Sequence, residues 1–249
     1  MQIYYRLEGV AMEWNDFKQK TIWLEGYETI ITFPQKGTAN GKWALKAEYH
    51  RAFPEVQTEL LKQGYHVAYV KNKTRWHVPE DTEAKARLAV YMHEELGLNQ
   101  KCVVIGMSCG GMQGIYFAAA YPQYVSCMFL DAPVINLIPC FLKREGSPDL
   151  DDLWEEFSKA TGMDEITLYS YRNHPMDRIP DLMEHDIPIV LVCGDEDKNC
   201  PYEVHGKILN DLYKANGCTI ETILKKGGHH PHGLPDNTPI LNFICKYDI

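Results

Sequence analysis

The sequence predicts an α/β domain, a mostly parallel sheet flanked by helices, and three observations predict it. Strand-like and helix-like segments alternate along the chain, the pattern of βαβ units. The 249 residues are 45% hydrophobic, ample for one large core. No repeat, low-complexity tract or flexible linker divides them, so residues 1–249 are expected to form a single domain.

The elements follow in order. Lys20–Glu25 and Glu28–Phe33 read as two strands around Gly26-Tyr27, a hairpin. Residues 34–42 are rich in turn formers. Ala44–Gln63 reads as a helix, begun afresh near Pro54 and stopped at Gly64. Tyr65–Val70 is a strand. Asp81–Leu96 is a helix, with apolar residues at Ala84, Leu88, Tyr91, Met92 and Leu96 and a stop at Gly97. Lys101–Ile105 is a short apolar strand. Ser108–Tyr121 is a helix whose small residues allow close approach to a sheet, and Val125–Leu130 is another strand. Residues 137–186 break this rhythm. They hold helical stretches such as Asp151–Thr161 but no strong strand, and they read as a helical cap inserted between two strands. Ile187–Cys193 resumes the sheet, followed by helix Tyr202–Asn216, strand Cys218–Lys225 and helix Thr238–Tyr247.

Charge and composition exclude several classes of function. A formal net charge of −9 with no long basic run argues against a nucleic-acid partner. The longest apolar stretches are strand-sized and too short to span a bilayer, so no membrane partner is expected. The N-terminal residues Met1–Glu8 carry neither the basic nor the apolar region of a secretion signal, which makes a cytoplasmic location the expectation. The eight cysteines include no C-x-x-C pair and are expected to be buried, reduced thiols.

Gly106-Met107-Ser108-Cys109-Gly110 fits the G-x-S-x-G pattern. At average composition such a pentapeptide arises by chance in roughly one chain in ten of this length, so the motif alone decides nothing. Its setting does. An apolar strand precedes it and a helix of small residues follows, as a nucleophile elbow requires. The sharp turn strains the serine backbone and leaves no room for side chains at Gly106 and Gly110. It also presents the Ser108 hydroxyl at the end of the strand. The Cys109 backbone N–H is the expected first oxyanion donor.

A serine hydroxyl needs a base. Asp195, Glu196 and Asp197 follow the strand Ile187–Cys193, and Asp131 stands at the end of an earlier one. After the last strand comes Gly227-Gly228-His229-His230-Pro231-His232. The residues alone leave the choice open within each group. Three histidines so close together suit zinc, but they lack the i, i+4 helical spacing. A serine hydrolase accounts for the elbow, the acid loop and the histidine loop together, so no metal is expected.

With these stations placed, the chain resembles the α/β-hydrolase superfamily from about Trp14 onward. More narrowly it is similar to the prolyl-oligopeptidase-like bacterial α/β-hydrolases. Gly41-Lys42-Trp43, residues 64–70, 106–111, 131–133, 192–197 and 228–232 carry the likeness. The resemblance implies an eight-stranded sheet with a small helical cap after strand six, and acyl hydrolysis without a cofactor. The family's glycine–acid–proline spacing selects Asp197, and its glycine–histidine selects His229. One departure is that many relatives carry His-Gly after strand three, where a backbone N–H completes the oxyanion hole. Here that position reads Phe33-Pro34-Gln35-Lys36-Gly37. Pro34 has no N–H, so Gln35 is the expected second donor, with Lys36 as its rival.

The expected chemistry is a triad of Ser108 as nucleophile, His229 as base and Asp197 as its partner. The expected substrate is a small or medium carboxylic ester, with an acylated carbohydrate as one candidate. Trp43, Trp76 and Trp154 are the candidate substrate-binding rings. Two alternatives stand beside the esterase. One is a peptidase, although the chain is too short to include the propeller of a full prolyl oligopeptidase. The other is a non-catalytic ligand-binding relative, which commonly lacks a triad member.

Overall fold

The first elements in the computed structural model are three strands, β1 (Glu13–Trp14), β2 (Phe17–Leu24) and β3 (Tyr27–Thr32). The structure describes residues 13–14, 17–141 and 151–249. Residues 1–12, 15–16 and 142–150, which belong to the expected domain and insertion, lie outside the described residues. β2 and β3 form a hairpin whose two turn residues, Glu25 and Gly26, both have positive φ, 47° and 88°. That conformation matches the right-handed twist of the flanking strands. β4 (Trp43–Lys46), α1 (Glu55–Lys62), β5 (His66–Val70), α2 (Pro79–Glu94), β6 (Cys102–Met107), α3 (Cys109–Ala120) and β7 (Val125–Asp131) follow. Four helices come next: α4 (Leu137–Phe141), α5 (Asp151–Thr161), α6 (Glu165–Ser170) and α7 (Ile179–Glu184). The last elements are β8 (Ile189–Gly194), α8 (Gly206–Ala215), β9 (Ile220–Lys225) and α9 (Thr238–Tyr247).

The strands form one sheet in the order β1-β2-β3-β5-β4-β6-β7-β8-β9. The pairs from β5 through β9 are parallel, and β1, β2 and β3 join antiparallel. The sheet therefore has one strand more than the eight expected, the two-residue β1. A larger correction concerns Ala44–Gln63, read above as a helix. Its first residues belong to β4, fully buried between β5 and β6. A four-residue apolar run carries no periodicity, and here the two neighbouring strands decide its conformation.

From β4 the chain passes through α1 to β5 on one side, then through α2 back across β4 to β6 on the other. The strand order reverses there, and the crevice outside the carboxyl ends of β4 and β6 is the place where such sheets bind ligands. Successive strand residues feed opposite faces. Cys102, Val104, Met128, Leu130, Ile189 and Leu191 join one core with α2, α3, α7 and α8. Val103, Ile105, Cys127, Phe129, Val190 and Val192 join the other, with α1 and α9. A third apolar cluster joins the helices between β7 and β8 to the body of the protein. In it Leu137, Phe157 and Leu168 meet Trp76 and the α3 residues Met112 and Tyr116. Arg75 Nε also donates to Glu156 Oε1 at 2.9 Å, tying the loop after β5 to α5. Among the described residues no helix is long and apolar enough to cross a membrane.

Candidate active site

Ser108 stands between β6 and α3 with φ 53° and ψ −123°, a region that side-chain-bearing residues rarely occupy. Its neighbours leave no alternative. A Cβ on Gly106 would lie 2.6 Å from the Gly110 carbonyl oxygen, and one on Gly111 would lie 2.4 Å from Pro133 Cβ. Hydrogen bonds hold the strained residue on both sides. Ser108 N–H donates to the Asp131 carbonyl at 3.0 Å, and the Ser108 carbonyl accepts from Gly111 at 2.9 Å and Val134 at 3.0 Å. Strain of this kind costs about 1–3 kcal/mol and persists only where the surroundings enforce it.

Ser108, His229, His230 and His232 line one cavity of about 310 Å³. The acid and histidine loops meet because Gly194 has no side chain: a Cβ there would lie 2.4 Å from the Gly228 carbonyl oxygen. Glu196 N–H donates to the Gly227 carbonyl at 2.9 Å across the same junction. His229 Nδ1 lies 2.8 Å from Asp197 Oδ2, with both side chains almost fully buried. An ionised carboxylate only accepts, so His229 Nδ1 carries the proton and its Nε2 lone pair is free. The other oxygen of Asp197 accepts from Asn199 N–H at 2.8 Å and Cys200 N–H at 2.9 Å. Burial pushes the Asp197 carboxyl up, but the bonds from His229, Cys200 and Asn199 outweigh it and hold it below the usual carboxylate value. Asp195 bonds Lys226 and the Gly227 N–H instead, tying down the turn.

The structure adds a second pair that spacing does not reveal. His232 Nδ1 lies 2.8 Å from Asp131 Oδ1, and Gly233 N–H and Lys225 Nζ reach Asp131 Oδ2 at 2.6 and 3.3 Å. Lys225 also donates to the carbonyls of Pro231 and Gly233. Asp131 and Lys225 thus clamp the histidine loop from beneath. The only hint in the sequence is an acidic residue closing an apolar strand.

Cys109 is the first residue of α3, where a backbone N–H has no carbonyl of its own helix to reach. The Gln35 expectation is corrected. β3 runs antiparallel to β5, with Thr32 opposite Val67, so its end lies at the amino ends of the parallel strands, away from Ser108. Gln35 and Lys36 line a separate depression with Phe33, Pro34 and His66. The strand that ends beside the elbow is β4. Ala47 N–H donates to the Ile105 carbonyl at 2.9 Å, and a Cβ on Gly110 would lie 3.1 Å from Glu48 Cβ. Tyr49, next in the chain, has φ 56° and lines the cavity. Its N–H is taken by Glu48 Oε1 at 3.1 Å, and its phenol hydroxyl, the other donor, sits against the Cys109 thiol and the Arg75 guanidinium. Burial pushes that phenol up, so it stays protonated.

The three tryptophans separate. Trp43 is 0% exposed in the core, with Nε1 donating to the Asn99 carbonyl at 2.9 Å, so it cannot touch a substrate. Its place in β4, buried between two neighbouring strands, is what removes it from the substrate side. Trp76 does line the cavity. Trp154 packs on Phe141 and Phe157 at ring distances of 5.2 and 5.6 Å, while its neighbour Leu153 faces the cavity.

The comparisons agree with this architecture. A family model described as alpha/beta hydrolase fold matches residues 76–160. No curated protein matches the sequence. Among solved structures, an acylaminoacyl peptidase of Pyrococcus horikoshii is similar at a TM-score of 0.66 and 13% identity, over 99% of this chain and 42% of that one. Est1E from Butyrivibrio proteoclasticus gives 0.63 and 16%, over 91% of this chain and 99% of that one. Porphyromonas gingivalis dipeptidyl peptidase 4 gives 0.64 and 13%, over 95% and 35%. The chain thus spans less than half the length of the two peptidases. Its sheet order, its strained elbow serine and these likenesses together establish that the chain has the α/β-hydrolase fold.

Proposed function

We propose that the chain is a serine hydrolase that cleaves a small or medium carboxylic ester through an acyl-enzyme on Ser108. One observation carries the reading. A strained serine at a strand–helix turn shares a cavity with a histidine whose far nitrogen is held by a buried carboxylate. Ser108 Oγ attacks the carbonyl carbon while His229 Nε2 takes its proton. Asp197 fixes the tautomer and stabilises the imidazolium. The Cys109 N–H and the Tyr49 phenol stabilise the oxyanion. His229 then passes its proton to the departing alcohol, and water, activated by the same nitrogen, releases the acid.

The cavity volume favours a modest substrate, since 310 Å³ stands at the small end of the range for small-molecule sites. Its walls include Trp76, Phe53, Val134 and Leu153, which suit an acyl chain better than a sugar. The Trp76 indole N–H is buried with no acceptor among the described residues, and a polar atom of the substrate is its natural partner. We take α4–α7 as the cap over this cavity. All eight cysteines are free thiols, in keeping with a reducing cytoplasm.

A peptidase is the second reading, favoured by the likeness to the acylaminoacyl and dipeptidyl peptidases. A series of p-nitrophenyl esters of increasing acyl length, run beside aminoacyl and acylaminoacyl anilides, separates the two. The expected result is turnover of short and medium esters that falls with longer chains. Turnover of the anilides alone would transfer the assignment to a peptidase, and a folded protein inert to both would end it.

A further inference from the structure

We propose that His229, His230 and His232 form a binding site for a divalent transition-metal ion of the zinc type, and that occupancy switches the hydrolase off. One ring nitrogen from each histidine lies within 4.8 Å of the others. The ring centroids are 4.7, 4.9 and 4.9 Å apart, and every pair meets edge to face. The three rings thus form a compact cluster rather than a stack.

Two of the three are already prepared as ligands. His229 Nδ1–H donates to Asp197 and His232 Nδ1–H donates to Asp131, each at 2.8 Å. Metal-bound histidines are almost always held this way, with a carboxylate on the far nitrogen fixing the tautomer and raising the basicity of the near one. In both residues Nε2 is the nitrogen left for a metal. The two buried carboxylates also set negative charge behind the site, of which Lys225 offsets part at Asp131.

His230 supplies the adjustment. Zinc–nitrogen bonds of about 2.0–2.1 Å in a tetrahedron place ligand nitrogens about 3.4 Å apart, so separations of up to 4.8 Å must shorten by as much as about 1.4 Å. His230 is exposed, and its ring rests on Phe53 at 5.4 Å and 11° rather than in a packed core. All three histidines line the cavity that holds Ser108. A set of imidazole nitrogens with no oxygen ligand favours zinc, cobalt, nickel or copper over magnesium or calcium.

The inhibition rests on the proposed mechanism, whereas the binding does not. A metal on His229 Nε2 consumes the lone pair that takes the Ser108 proton. His230 is the informative position, because it has no part in that proton transfer.

The test is calorimetric titration of Zn²⁺ into the chelator-stripped full chain, into His230→Ala, and into His185→Ala as an exposed control elsewhere. Magnesium serves as the control ion. The expected result is one zinc per chain, weakened about tenfold or more in His230→Ala and unchanged in His185→Ala. Cobalt should give visible absorption in the wild type that His230→Ala loses. A wild type without stoichiometric zinc uptake, or a His230→Ala protein that binds as tightly as the wild type, overturns the site. A second arm follows labelling of Ser108 by a fluorophosphonate. Zinc should slow labelling, chelator should restore it, and His230→Ala should need about tenfold more zinc. Binding through His230 without any effect on labelling would overturn the switch. A metal-free chain that never labels would refute the hydrolase reading instead, and the titration would still decide the metal site.

Discussion

His229 Nδ1 and Asp197 Oδ2 lie 2.8 Å apart although 32 residues of chain, and all of α8 and β9, separate them. The contact depends on Gly194, whose bare backbone lets the acid loop rest against Gly228. His232 and Asp131 stand at the same distance, and both histidines line one cavity, so two histidine–carboxylate pairs compete for the role of base. His229 is the expected base. Asp197→Asn should lower kcat on the order of 10⁴-fold by presenting the wrong tautomer. Asp131→Asn should loosen the loop and reduce stability, with a loss of turnover at least about tenfold smaller. Steady-state rates at a temperature where both variants remain folded decide between the pairs. A larger loss in Asp131→Asn would move the base to His232.

Tyr49 is the expected second oxyanion donor. Tyr49→Phe keeps the ring and removes the hydroxyl, so kcat should fall about 10²-fold with little change in KM. Gln35→Ala should change neither parameter. An unaltered kcat in Tyr49→Phe would remove the phenol from the mechanism.

Lys46 provides a test by pH. Its ammonium lies in the core beside the elbow, 3.2 Å from the Ala52 carbonyl oxygen and 3.1 Å from Met107 Sδ. Burial pulls it down to about 7, against the opposing pull of Asp131, Glu55 and Glu48. An unfolded lysine titrates near 10.4, so between about pH 7 and 10 the unfolded chain holds more protons than the folded one. The Lys46 contribution to stability therefore rises with pH across that window. Urea unfolding at pH 6.5 and pH 9 should show the rise after correction for other groups, and Lys46→Met should flatten it. An unchanged slope in Lys46→Met would place the titration elsewhere.

Asp197 acts with the opposite sign in acid. Its folded value is depressed, so its contribution is present above the unfolded carboxylate value of about 3.9 and is lost as pH falls through the folded one. Asp197→Asn should reduce the steepness of acid unfolding below about pH 4. An acid limb identical to the wild type would mean that the His229–Asp197 bond adds nothing to stability.

Much of the site was legible because its signals are local. A strand, G-x-S-x-G and a helix of small residues occupy adjacent positions, and the acid and histidine loops each follow a strand that reads clearly as one. What escaped depends on contacts between distant residues. Trp43-Ala44-Leu45-Lys46 has no period to distinguish strand from helix, and only pairing with His66–Ala68 and Val103–Ile105 makes it β4. Without that pairing, the oxyanion donor falls at Gln35, at the wrong end of the sheet, and the buried Trp43 reads as a substrate contact. The clamp of Asp131 on His232 spans 101 residues, a pairing that no short motif encodes.

Incubation with a fluorophosphonate, followed by intact-mass measurement and peptide mapping, asks whether Ser108 is an activated nucleophile. One adduct per chain is expected, located on Ser108 and absent from Ser108→Ala. A folded wild-type chain that takes up no adduct, or a Ser108→Ala chain labelled to the same extent, would contradict it.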